Sequence, residues 1–130
     1  MKLVKSRELV VVVDDDPAVR NSLKFSLEIE GFIVRTYANS AELLDARDLQ
    51  ICSCLVIDQR MPGMSGLDLI DRLRERHISV PAILITSHPT AFLSQRAARA
   101  DIPIVEKPLL GNALVHEIRG ACARHAGPRL

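Results

Sequence analysis

The chain has 130 residues, 48% apolar and 25% charged, with 17 basic residues against 16 acidic ones, which fits one domain with an ordinary core. A net charge of +1 gives no electrostatic reason to expect nucleic-acid binding, and no apolar run approaches the ~18 residues of a membrane span. Residues 1–5 lack the apolar stretch and small-residue cleavage site of a secretory signal, so a cytoplasmic protein is expected.

Residues 8–13, a continuous β-branched run, predict a strand buried on both faces of a parallel sheet. It stops at Asp14-Asp15-Asp16-Pro17, where Asp16 can cap a helix and Pro17 can open it. Val19, Leu23, Ser26, Leu27 and Glu30 continue at helical spacing, and Gly31 suits the helix end. Residues 32–37 read as a second strand. Asn39 with Glu42 three positions on resembles a capping box and predicts a helix to about Leu49.

A third strand is predicted over 51–57, ending at Asp58. On it Cys52 and Cys54 would share a face. With Cys122 they make an odd count, which suits a reducing compartment better than a disulfide framework. The four histidines are scattered, so buried structural thiols are a better reading than a metal site. The loop 59–66 is rich in turn residues, and Leu67, Ile70 and Leu73 mark a third helix closing near His77. Residues 82–86 give a fourth strand, 90–100 a helix, and 102–106 a short fifth strand placed at an edge by Pro103. A last helix starting near Leu109 carries Leu110, Leu114, Ile118 and Ala121. Five strands alternating with five helices predict an α/β fold, a five-stranded parallel sheet with helices on both faces. Residues 1–130 read as a single domain, with its core at about 8–122.

In such folds a functional crevice lies beyond the carboxyl ends of the strands. The first strand delivers Asp14 and Asp15 there, the third Asp58, the fourth Thr86 and the fifth Lys107. Each alone has a bland explanation: helix capping, a turn residue, a β-former, a solvated charge. Those explanations do not predict complementary polar groups at all four strand ends. Three carboxylates in one crevice repel one another, and a hard divalent ion such as Mg²⁺ removes the conflict. Lys107 can then act as a second cation, the Thr86 hydroxyl can donate a hydrogen bond, and a carboxylate nucleophile can make an acyl phosphate.

Val-Val-Asp14-Asp15-Asp16, Asp58-x-x-Met61-Pro62-x-Met64-x-Gly66, Ile-Thr86-Ser87 and Glu106-Lys107-Pro108 resemble, in order and spacing, the receiver domain of bacterial two-component response regulators. The Asp58 loop is similar to those of nitrogen-fixation regulators. The resemblance implies the flavodoxin-like receiver fold with strand order 2-1-3-4-5. It implies Asp58 as phosphoacceptor, Asp15 as direct Mg²⁺ ligand with Asp14 assisting, and the Arg60 backbone carbonyl completing the protein's share of the ion. Thr86 would be the switch hydroxyl and Lys107 the phosphoryl-binding cation, with a cis Lys107–Pro108 bond. The phosphodonor would be a sensor histidine kinase or a histidine phosphotransfer protein meeting residues 17–22, in a phosphorelay that turns over no separate metabolite.

The family often carries Tyr or Phe three residues before the lysine, where this chain has Ile104, an aliphatic side chain without the aromatic lever. Ser87, Phe92, Leu93 and Ile104 would form the switch and interaction face toward a downstream protein target. Arg96 and Arg99 read as a solvated face, with no direct nucleic-acid contact. A homodimer through the fourth and fifth helices is a family habit. A free-standing receiver and a piece of a longer DNA-binding regulator both fit the sequence. The main alternative is a degenerate receiver serving as a phosphorylation-independent interaction module. A phosphatase would need a second general acid–base, and a flavin module a hydroxyl-rich phosphate loop; neither is visible.

Overall fold

In the computed structural model, which describes residues 7–109 and 111–126, each of the five apolar runs contributes a strand. The strands are β1 (Leu9–Val13), β2 (Ile33–Tyr37), β3 (Cys54–Asp58), β4 (Ala82–Thr86) and β5 (Ile104–Glu106). Between and after them come α1 (Pro17–Ile29), α2 (Ser40–Leu44), α3 (Gly66–Glu75), α4 (Ala91–Arg99) and α5 (Ala113–Ala126), with a 3-10 turn at Leu49–Ile51. All neighbouring strands are parallel, in the order β2-β1-β3-β4-β5, as the resemblance implied. No helix among the described residues is long and apolar enough to cross a membrane.

Period-2 alternation divides the core between the two faces of the sheet. Val10, Val12, Cys54, Val56, Ile83 and Ile85 pack with Leu23 and Leu27 of α1 and Leu114 and Ile118 of α5. Val11, Val13, Leu55, Ile57 and Leu84 pack on the opposite face with Leu43 of α2, Leu67, Ile70 and Leu73 of α3, and Leu93 of α4. The expected caps form. Asp16 accepts the Ala18 N–H at 2.9 Å, and Gly31, at φ +101°, turns the chain out of α1.

Several boundaries differ from the sequence expectation. The α2 helix ends at Leu44 rather than near Leu49. Leu43 and Leu49 are both buried in the same core, yet six residues place them about 120° apart around a helix. The chain therefore breaks, with Asp48 at φ +62°, and re-enters the core through the 3-10 turn. As a result β3 begins at Cys54, and Cys52 lies before it. Cys52 and Cys54 enter opposite cores, so the expectation that they share a face is wrong. All three cysteines are free and buried; burial pushes the Cys52 and Cys122 thiols up to about 11 and the Cys54 thiol higher still.

The fifth strand is shorter than expected and lies at the sheet edge, with the Pro103 carbonyl accepting the Leu84 N–H at 3.0 Å just before it. The last helix begins at Ala113, four residues later than expected, because Gly111 stands at φ +73° outside helical space. Leu110, expected in that helix, lies outside the described residues.

Candidate functional site

The parallel register sets the carboxyl ends of the three central strands side by side. Val13 pairs with Ile57 across β1 and β3, so Asp14 and Asp58 follow on neighbouring strands. Asp58 pairs with Ile85 across β3 and β4, so Thr86 comes next. The Lys107 N–H then donates to the Thr86 carbonyl at 2.8 Å, bringing the lysine alongside. The Lys107–Pro108 bond is cis, as expected.

Asp14, Asp58 and Thr86 are buried, and Asp15 is exposed at the rim. Each of Asp14, Asp15 and Asp58 offers a carboxylate oxygen, and these oxygens lie within 4.8 Å of one another. The Lys107 ammonium sits 3.3 Å from Asp58 Oδ1 and 3.5 Å from Asp14 Oδ2. Asp14 Oδ1 also accepts the Asp16 N–H at 2.9 Å. Thr86 Oγ1 accepts the His88 N–H at 3.3 Å, which turns the chain after β4.

The electrostatics are those of a crowded anionic crevice. Burial, and then the charge of Asp14, raise the Asp58 carboxyl above its ordinary value, while Lys107 and the backbone N–H of Arg60 pull it back. Burial lowers the proton affinity of Lys107, but Asp58 and Asp14 outweigh it, and the ammonium is held above its ordinary value. Three carboxylates against one ammonium leave a surplus of negative charge among hard oxygen donors. That donor set fits a divalent cation such as Mg²⁺.

The sequence singled out all of these groups, but the other predicted positions fall differently. Arg60, Ser87 and Phe92 are exposed, with Phe92 the most exposed large apolar side chain among the described residues at 72%. Leu93 belongs to the core, and Ile104 is half-buried against it, so these two do not form an open patch with Phe92. Arg96 is not simply solvated: it bridges α4 to α3 through Asp71 at 2.9 Å and Asp68 at 3.6 Å.

Two contributors carried no readable signal. Arg20, one turn into α1, donates from Nη1 to the Asp14 carbonyl at 2.7 Å. Gln59 ties down the loop after Asp58 with both its backbone and its side chain. An arginine on a helix and a glutamine in a turn are too common to attract notice.

Residues 10–119 match the response regulator receiver domain family. The chain belongs to this family. It is 40% identical over 123 residues to the C4-dicarboxylate transport transcriptional regulatory protein DctR of Rhodobacter capsulatus, covering 91% of this chain and 61% of that protein. It is 38% identical over 120 residues to the transcriptional regulatory protein FixJ of Azorhizobium caulinodans, covering 90% of this chain and 56% of that protein. The chain thus spans less than two thirds of the length of both relatives. The solved structure of FixJ-N superposes with a TM-score of 0.79 and 31% identity, over 97% of this chain and 99% of that one. The family resemblance read from the motifs is therefore borne out, and the chain is a receiver of two-component phosphorelay signalling. Response regulator receivers are phosphorylated by histidine kinases and generally bind Mg²⁺ in an acidic pocket.

Proposed function

We propose that Asp58 is the phosphoacceptor and that this receiver catalyses its own phosphorylation and dephosphorylation, turning over no separate metabolite. What carries the reading is the placement of Asp58, buried at the end of β3 with two further carboxylates within 4.8 Å and an ammonium at 3.3 Å. Asp15, Asp14 and Asp58, with the backbone carbonyl of Arg60, would hold Mg²⁺. When bound, the ion offsets the charge of the carboxylates and of the incoming phosphoryl oxygens.

The chain's own groups do the rest. An Asp58 oxygen attacks the phosphorus of a phosphohistidine, the phosphorus–nitrogen bond breaks, and an acyl phosphate forms. Lys107, already paired with Asp58 and Asp14, transfers part of its pairing to the new phosphoryl oxygens. The Thr86 hydroxyl donates to the same group. That would draw Thr86 away from the His88 N–H and move Ser87 and the start of α4. Ile104 has no aromatic lever to swing, so the signal passes through the β4–α4 connection and the exposed Phe92.

The donor would be a sensor histidine kinase or phosphotransfer protein approaching residues 17–22. The target would be a protein meeting α4 and β5, with a second copy of the chain as one candidate. We read residues 1–130 as one receiver domain with a cytoplasmic role and no direct nucleic-acid contact.

The test is intact-protein mass after incubation with acetyl phosphate, in Mg²⁺ or in EDTA, with Asp58→Asn as control. A gain of one phosphoryl group that needs both Mg²⁺ and Asp58 is expected. A folded protein that gains nothing from any donor would favour the phosphorylation-independent interaction module instead.

A further inference from the structure

The loop between Asp58 and α3 carries Arg60, and Gln59 closes its base. The Gln59 N–H donates to the Ile85 carbonyl at 2.9 Å, which extends the β3–β4 ladder by one residue. Its carbonyl accepts the Gly66 N–H at 3.0 Å. Its side-chain Oε1 accepts the Leu67 N–H at 2.9 Å. The first two N–H groups of α3, which a helix leaves without internal partners, are therefore both taken by this one residue. Ser65 Oγ takes the third, from Asp68, at 3.2 Å.

The closure is tight. A Cβ on Gly66 would stand 2.5 Å from the Asp58 carbonyl oxygen, so the α3 terminus lies directly against the strand end. Arg60 is the next residue along, and its backbone carbonyl belongs to the cation ligand set proposed above. The orientation of the 59–60 peptide thus depends on what Gln59 holds.

We infer that Gln59 is a positioning residue for the cation site. Its carboxamide locks the 59–66 loop onto the start of α3, and this holds the Arg60 backbone in place beside the three carboxylates. The inference rests on the metal reading proposed above. Groups that orient a metal's ligands act through preorganisation: loosening them costs affinity even when every ligand is still present.

The experiment is a titration of ¹⁵N-labelled protein with MgCl₂, following amide shifts well below the thermal midpoint, in parallel with thermal melting. Gln59→Leu keeps the shape and removes the acceptor. It should weaken Mg²⁺ binding about tenfold, the lower end for residues that orient a metal's ligands. Gln59→Glu restores an acceptor for the Leu67 N–H and should recover the affinity. Ser65→Ala removes the other side-chain cap of α3 and should lower the melting temperature without changing Mg²⁺ affinity. Unchanged affinity in Gln59→Leu, no recovery in Gln59→Glu, or an equal loss in Ser65→Ala would each overturn the assignment. A wild-type protein whose amides ignore Mg²⁺ would instead refute the metal reading itself, so the two failures are distinguishable.

Discussion

Replacing Gly66 by alanine tests how closely α3 is packed against the phosphoacceptor strand. The new Cβ would meet the Asp58 carbonyl oxygen at 2.5 Å and Leu84 Cδ1 at 2.9 Å. Non-bonded carbon contacts are comfortable at about 3.5 Å, so something must move by roughly 1 Å. Leu84 is fully buried and Asp58 belongs to a central strand, so neither yields easily. Overpacking of this kind costs about 1–3 kcal/mol, and the rigid backbone partner argues for the upper end. Removing a glycine from a helix returns up to about 1 kcal/mol, which leaves a net loss of about 2 kcal/mol. For a domain of this length that lowers the thermal midpoint by roughly 6–10 °C.

Because the obstruction falls on Asp58 itself, the rate of phosphorylation by acetyl phosphate should drop as well. Gly63→Ala is the control. Nothing lies within 4 Å of its Cβ, but its φ of +84° imposes strain of about 1 kcal/mol, and it should leave Asp58 reactive. Circular dichroism melts and phosphorylation time courses on both variants decide the matter. A Gly66→Ala protein as stable and as reactive as wild type would refute the close-packing argument.

Asp58 makes stability depend on pH in a defined direction. Its carboxyl is raised above the ordinary 3.8 by burial and by Asp14, so the folded chain binds that proton more tightly than the unfolded chain. As pH rises through the folded value, ionisation costs stability. In EDTA, the stability advantage of Asp58→Asn over wild type should therefore be smallest near about pH 4 and grow toward neutrality; urea titrations in which the gap narrows with rising pH would contradict this. Lys107→Ala leaves Asp58 and Asp14 facing each other without a cation and should cost roughly 1–3 kcal/mol at neutral pH. The cost should shrink in acid as Asp58 takes up a proton, as read by the same titrations. Arg96→Ala breaks only half-exposed ion pairs to Asp71 and Asp68 and should change stability by less than about 1 kcal/mol, with the difference further reduced by salt in thermal melts. Thr90→Ala removes the Oγ1 that accepts the Leu93 N–H at 3.1 Å and should cost about 1 kcal/mol in the same melts.

Signals carried within a few residues determined the strands, the caps and the site chemistry. Branched apolar runs marked all five strands, and Asp16-Pro17 and Asn39 marked two helix starts, because alternation and capping act over one turn or one strand. The carboxylates, the hydroxyl and the lysine were legible because parallel α/β topology sends every strand end to the same rim. Tertiary structure alone decided where chain segments bend to satisfy two distant burials. Leu43 and Leu49 had to enter the same core, so α2 stopped early, and Cys52 and Cys54 were sent to opposite faces. Arg96 found its carboxylates on another helix, Arg20 the Asp14 carbonyl, and Gln59 the first turn of α3. Such partnerships depend on which surfaces meet across the fold, and no local pattern along a single chain encodes that distance.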